Sequence, residues 1–246
     1  MGIDVYQKFF LLVDEWHVLF NNYVFRNKAV KNVLGIAPSF DEATYMTATP
    51  IEQEYLFKEI KHLSVIEIVW PNMKEISVKE VPTNRPNQCI GNVIQKHLNN
   101  RAFGNLHIFV NSVRFISKVI RAYKIKPDDV KVVCAANKEN QAKLGRSYQI
   151  GKPLDPVKKV NFYTSTCFEG CDIYDKIGKT YVVSDGYTQH SLLDISTLFI
   201  QICGRIRNSD YDDIITYIFS PTRYDGGTSL DEFKEACTRE YTKSNK

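Results

Sequence analysis

Two adjacent carboxylates, Asp14 and Glu15, follow directly on the apolar run at residues 9–13 (FFLLV), and His17 stands just beyond them. Acids leaving a buried strand can divide the work that cleavage of a phosphoanhydride requires. Asp14 would hold a divalent metal such as Mg²⁺ largely through its hydration shell, and Glu15 would orient or deprotonate the attacking water. Taken alone, the pair is also what a solvated strand end looks like. Thr47, Ala48, Thr49 and Pro50 set two hydroxyls around a small residue, suited to hydrogen bonding toward the acids or to capping a helix. Residues 164–172 (TSTCFEGCD) place Thr164, Ser165 and Thr166 after an apolar strand, then Gly170 and Asp172. Those hydroxyls and their N–H groups can bind nucleic-acid phosphates without reading sequence, and a glycine lets backbone approach a phosphate. Residues 201–207 (QICGRIR) supply Gln201, Gly204, Arg205 and Arg207. A guanidinium stays protonated and bonds two oxygens at once, which suits it to charge on a transferring phosphoryl group.

In this order and at these spacings the four strings resemble motifs II, III, V and VI of superfamily 2 helicases. Asn111, after the apolar run at residues 106–110 (LHIFV), matches the position of motif IV. The resemblance implies two RecA-like parallel-sheet lobes, ATP and Mg²⁺ between them, and single-stranded DNA or RNA as partner. It implies a site in which Asp14 serves the metal, and Glu15, Gln201, Arg205 and Arg207 serve hydrolysis. His17, Thr47, Thr49, Gly170 and Asp172 would couple the nucleotide to the cleft, with His17 reaching the γ-phosphate or Gln201. Asn111, Thr164, Ser165 and Thr166 would hold nucleic acid. His17 makes the motif a DExH variant. The second arginine falls one place early, at Arg207 with Asn208 in the usual position, a form similar to herpesvirus origin-binding and phage helicases and pointing to DNA replication. On this resemblance Arg205 faces the cleft and Arg207 is the finger.

Motif I is expected to precede motif II, yet only thirteen residues stand before Asp14, with no G-x-x-x-x-G-K-[ST] among them. The first lobe is therefore expected to be incomplete, with the phosphate-binding loop supplied by a longer protein or another chain, and these residues alone to hydrolyse ATP negligibly. Gly178-Lys179-Thr180 copies the end of such a loop, but Ile173 occupies the place of its first glycine, so a turn entering a strand explains it better. A non-catalytic binding module derived from a helicase core is the competing reading. A metal nuclease is a poor one, because no further carboxylate cluster accompanies Asp14 and Glu15.

The elements that must position these residues read as α/β. Strands are expected at residues 9–13, 44–47, 65–70, 76–81, 106–110, 131–134, 159–163, 180–184 and 213–219, each a short apolar or alternating run. Helices are expected at residues 27–34, 51–62, 90–98, 113–123 and 192–203, and from Leu230 onward. Strands alternating with helices imply a largely parallel sheet covered on both faces. The proline-punctuated stretch at residues 82–88 marks a domain edge, so the lobes are taken as residues 1–75 and 76–246.

Composition agrees. Over 246 residues, 43% hydrophobic and 24% charged content suit an ordinary soluble globular protein, and 32 basic against 28 acidic residues permit phosphate contacts without demanding them. Of the six cysteines, four sit in apolar or motif contexts, as buried small hydrophobes do, and point to a reducing, cytoplasmic compartment. Cys167 and Cys171 have no second pair to complete a zinc site. No apolar run reaches the roughly 20 residues of a membrane span, and no signal peptide is evident.

Overall fold

The computed structural model describes residues 5–21, 23–71, 75–100, 102–186, 188–221 and 227–244. It divides into two compact units, residues 1–73 with 195–200, and residues 74–194 with 201–246.

In the first unit β1 (Leu11–Val13) is followed by the short helix α1 (His17–Asn21), α2 (Tyr23–Ile36) and β2 (Ala43–Tyr45). β1 and β2 pair in parallel, Leu11 opposite Ala43 and Val13 opposite Tyr45. The core is small: Trp16, Val30, Leu34 and Ile60 are buried together, and Phe20 stacks on Phe57 at 4.0 Å between centroids. β1 was expected to be a buried strand, but Phe10 and Leu12 are 76% and 58% exposed. A two-stranded parallel sheet cannot cover both faces of a strand that carries apolar side chains on each.

Two further expectations fail in this unit. Residues 51–62 form a 3₁₀ turn at Gln53–Tyr55 and separate turns closed by Ile60 and Lys61 N–H bonds to the Phe57 carbonyl, not one helix. The adjacent apolar pair Leu56-Phe57 and Ile60 dock into the core, and that docking overrides the helical pattern. Residues 65–70 form no strand and pair with nothing among the described residues, leaving Ile66, Ile68 and Trp70 exposed. An apolar run becomes a strand only where another edge accepts it.

The second unit is built as the alternation predicts. In chain order come β3 (Ser77–Pro82), α3 (Pro86–Asn99), β4 (Asn105–Phe109), α4 (Val113–Ala122), β5 (Val130–Val133), α5 (Lys138–Leu144), β6 (Val160–Tyr163), β7 (Ile173–Tyr174) and β8 (Gly178–Ser184). After the π-helical turn at Ile195–Phe199, which with Ile200 groups with the first unit, come α6 (Ile200–Cys203), β9 (Ile206–Arg207), β10 (Ile214–Phe219) and α7 (Leu230–Ser244). Six strands form an all-parallel sheet in the order β3-β10-β8-β4-β6-β5. Every residue of β5 and β6 is buried, as a sheet covered on both faces demands. α4 presents Phe115, Ile116, Val119 and Ile120 at helical spacing to this core, each worth about 1.5–3 kcal/mol when fully buried. Its first turn is capped by Ser112, whose Oγ accepts from the Phe115 N–H at 3.2 Å.

The helical pattern read over residues 192–203 begins only at Ile195, with π-helical geometry. α5 was not foreseen, although both ends are signposted. Asn137 caps its start by accepting from the Asn140 N–H at 2.8 Å, and Gly145 stops it at φ +92°. The β7–β9 pair was also unforeseen; two residues per strand leave no periodicity to detect.

Candidate functional site

The expected site residues fall into two constellations, one in each unit. In the first unit β1 ends at Val13, and the chain turns sharply through Asp14 and Glu15. Glu15 adopts φ +50°, a left-handed conformation uncommon for a residue with a side chain and frequent at working sites. Its N–H donates to Asp14 Oδ1 at 2.9 Å, which fixes the first carboxylate relative to the second. Beyond the turn the Trp16 N–H donates to the Met46 carbonyl at 3.1 Å, and the Met46 N–H to the Val13 carbonyl at 2.9 Å. The ends of β1 and β2 are thereby stitched together, bringing the Asp14–His17 turn against residues 46–49.

His17 completes the join. It is fully buried, and Nδ1 lies 2.7 Å from Thr47 Oγ1 and 3.2 Å from Glu15 Oε2. Thr47 Oγ1 also accepts from the Thr49 N–H at 3.1 Å and sits 3.3 Å from the Thr49 carbonyl. One proton arrangement satisfies these contacts. The Thr47 hydroxyl donates to the Thr49 carbonyl, and an N–H on Nδ1 serves Thr47 Oγ1 and the otherwise unbonded, buried Glu15 Oε2. The motif III hydroxyl thus reaches the imidazole, where a bond to the carboxylates was expected. Thr49 is itself buried.

Asp14 is exposed, and its carboxylate accepts one bond, from Glu15. A single accessible carboxylate fits Mg²⁺, which keeps several waters and takes other ligands from phosphates. No group of three or more His, Cys, Asp or Glu side chains able to enclose a metal occurs among the described residues.

In the second unit Asn111, the turn after β6 and the segment at residues 201–207 are woven together. Thr164 leaves β6 and is buried; its N–H donates to the Val133 carbonyl at 3.0 Å, and its hydroxyl lies 3.3 Å from that of Thr166. Ser165 and Thr166 are exposed. Asn111 holds this turn: its Oδ1 accepts from the Ser165 N–H at 3.2 Å, and its Nδ2 donates to the His190 carbonyl at 2.8 Å. Gly170 takes φ +66°, but a Cβ there would meet nothing within 4 Å. The glycine is needed for backbone conformation and not for space.

β7 then pairs in parallel with β9, Ile173 opposite Ile206 and Tyr174 opposite Arg207. The two arginines lie in different surroundings. Arg205 is half-buried with every nitrogen engaged: Nε donates to the Gln201 carbonyl at 2.8 Å, Nη1 to the Cys171 carbonyl at 3.2 Å and Nη2 to Gln201 Oε1 at 3.3 Å. Gln201 is buried. Arg207 is exposed and pairs through Nε with Asp172 Oδ1 at 2.9 Å, each side chain 45% accessible. Its two terminal nitrogens bond no described residue. Burial, with the neighbouring Cys171 thiol, pushes the Cys167 thiol up to about 12, and burial alone pushes Cys203 up to about 11. Both stay protonated near neutrality, so neither is a ready thiolate nucleophile or metal ligand.

The six-stranded parallel sheet, buried on both faces, is an α/β fold of the RecA-like type. No protein-family model and no curated protein matches the chain. Among solved structures the chain is similar to S. cerevisiae Dbp5 bound to RNA and ADP BeF3, with a TM-score of 0.51 and 14% identity over 94% of this chain and 56% of that one. A variant of Dbp5 with the same ligands gives a TM-score of 0.50, also at 14% identity, 94% and 56% coverage. RecG bound to a three-way DNA junction gives 0.47 at 14% identity, covering 93% of this chain and 27% of that one. The chain thus spans little more than half the length of Dbp5, and at this identity the likeness is one of fold.

Proposed function

We propose that the chain forms part of the motor core of an ATP-dependent nucleic-acid helicase or translocase. Mg²⁺ would be held through water by Asp14, and the attacking water by Glu15, whose carboxylate is oriented by His17. Thr47 and Thr49 relay the state of that carboxylate to the end of β2. Ser165, Thr166 and Asn111, with the turn that Thr164 anchors, would contact nucleic-acid phosphates, and Gly170 and Asp172 would carry that contact into the β7–β9 pair.

Within motif VI the roles divide. Arg207, whose two terminal nitrogens bond none of the described residues, is the residue available to the γ-phosphate, while Arg205 and Gln201 lock motif VI to motif V. The observation that carries the reading is this weave: Asn111 on motif V, and Arg205 and Arg207 each bonded back to it. The shifted arginine supports a DNA motor of the origin-binding kind. The sequence contains no G-x-x-x-x-G-K-[ST], so the cradle for the β- and γ-phosphates would come from a further segment or another chain.

That absence also favours the second reading, a module that grips nucleic acid without hydrolysis. Two assays separate them. In anisotropy titrations the 246-residue chain binds single-stranded oligonucleotides, with affinity falling as salt rises from about 50 to about 200 mM. Joined to a segment bearing the missing loop it hydrolyses ATP, and Glu15→Gln abolishes turnover while sparing nucleotide binding. Salt-dependent binding without any hydrolysis in the joined protein would favour the module; absence of binding would reject both.

A further inference from the structure

β4 runs through the middle of the six-stranded sheet, and His107 on it is completely buried. Its ring is satisfied on both sides. Nε2 lies 2.8 Å from Asp175 Oδ2, and Nδ1 lies 3.1 Å from the Tyr163 hydroxyl. The carboxylate can only accept, so Nε2 carries the proton, and the Tyr163 O–H donates to Nδ1. Asp175 gathers two more donors, Asn105 Nδ2 on Oδ2 at 2.9 Å and the Ile177 N–H on Oδ1 at 3.1 Å. Burial holds His107 below its usual range even beside a carboxylate, so the imidazole stays neutral. The donors around Asp175 outweigh its burial and hold it ionised.

Asp175 immediately follows β7, and its own N–H donates to the Arg207 carbonyl at 3.3 Å; two residues earlier the Ile173 N–H donates to the Arg205 carbonyl at 2.9 Å. The side chain of Asp175 is thus anchored in the central sheet, and its backbone grips the strand that carries Arg207. The Gly178-Lys179-Thr180 string belongs to this arrangement. A Cβ at Gly178 would stand 2.8 Å from His107 Nε2 and 3.0 Å from Ile206 Cγ2. That glycine is there to let the imidazole and β9 close in.

We infer that His107 and Asp175 are positioning residues: a buried bracket, fixed to β4, that sets where the Arg207 guanidinium stands. Its importance for turnover rests on Arg207 acting as proposed above; the bracket itself does not. Glutamine places an amide N–H near the position of Nε2, whereas asparagine reaches only to that of Nδ1. His107→Gln therefore keeps the donor to Asp175 and His107→Asn removes it, at nearly equal polarity.

The test is amide hydrogen exchange of the 246-residue chain, read at Ile173 and Asp175 relative to Ser220, whose N–H donates to Ser184 across the β8–β10 pair. Loss of a bond to a charged acceptor should speed exchange at Ile173 and Asp175 about tenfold or more over Ser220 in His107→Asn. His107→Gln should stay within about twofold of the wild type. Equal ratios in the two variants, or changes at Ile173 and Asp175 only in step with Ser220, would overturn the bracket. Should His107→Asn not fold, ¹⁵N shifts of the wild-type ring decide. A neutral ring protonated on Nε2 near pH 7 supports the bracket, and an imidazolium or Nδ1–H form refutes it. None of these readouts uses ATP, so an Arg207 variant with normal turnover would sink the finger and leave the bracket standing.

Discussion

Replacing each arginine of motif VI by lysine separates their two roles. Lysine keeps the charge but offers one compact ammonium in place of a planar fork. At Arg205 the fork bonds the Gln201 carbonyl, Gln201 Oε1 and the Cys171 carbonyl, and a single ammonium can keep about one of the three. Two lost bonds at roughly 0.5–1.5 kcal/mol each give about 2 kcal/mol, with more to come from stranding the buried Gln201 amide. Arg205→Lys should therefore lower the stability of the second unit by about 2–3 kcal/mol, or Tm by roughly 5–10 °C. Arg207 makes one exposed ion pair, and Arg207→Lys should cost under about 1 kcal/mol. Urea denaturation followed by far-ultraviolet circular dichroism reads the difference. Tryptophan fluorescence would report on the wrong unit, because both Trp16 and Trp70 belong to the first. If Arg205→Lys and Arg207→Lys destabilise equally, or Arg205→Lys stays within about 0.5 kcal/mol of the wild type, the division of labour is wrong.

Three further outcomes are expected. Ile116→Ala, at a fully buried position on α4, should cost about 2–5 kcal/mol in the same denaturation assay. Gly170→Ala should cost only about 1–2 kcal/mol, because a Cβ meets no neighbour and the penalty is that of φ +66° alone. Stability should fall on acidification in two windows. His107, lowered from 6.5 by burial, stays neutral in the folded state while the unfolded chain takes up a proton, so stability declines as pH drops below about 6.5. Asp175, lowered from 3.8, adds a second decline below that value, and each group contributes a slope of at most about 1.4 kcal/mol per pH unit. His107→Gln should shrink the upper window without abolishing it, because His97 is also lowered from 6.5 by burial and titrates in the same range.

Much of the second unit was legible because its strands are continuous apolar runs and its helices carry apolar residues at three- and four-residue spacing, as α4 does. The first unit was harder to read. Its apolar runs at residues 9–13 and 65–70 have the composition of sheet strands, but strand identity depends on a partner that composition does not reveal. Residues 51–62 carry a helical pattern that the docking of Phe57 and Ile60 overrides. The candidate site was legible as residue types in order and not as bonds. That Arg205 would be consumed in holding Cys171 and Gln201, while Arg207 stays exposed, depends on β7 and β9 pairing over two residues each. His107 gave no signal, since a lone histidine in an apolar strand looks like any core histidine. Its partner Asp175 is 68 residues away in sequence.

The most direct test of the motor reading is single-turnover ATP hydrolysis, with saturating single-stranded nucleic acid, in a protein that joins this chain to a phosphate-binding loop. Arg207→Ala should lower the rate by about 10³-fold or more while nucleotide affinity stays within a few-fold, as expected of a guanidinium that acts on the transferring phosphoryl group. An Arg207→Ala protein that hydrolyses ATP at the unmodified rate would contradict the account.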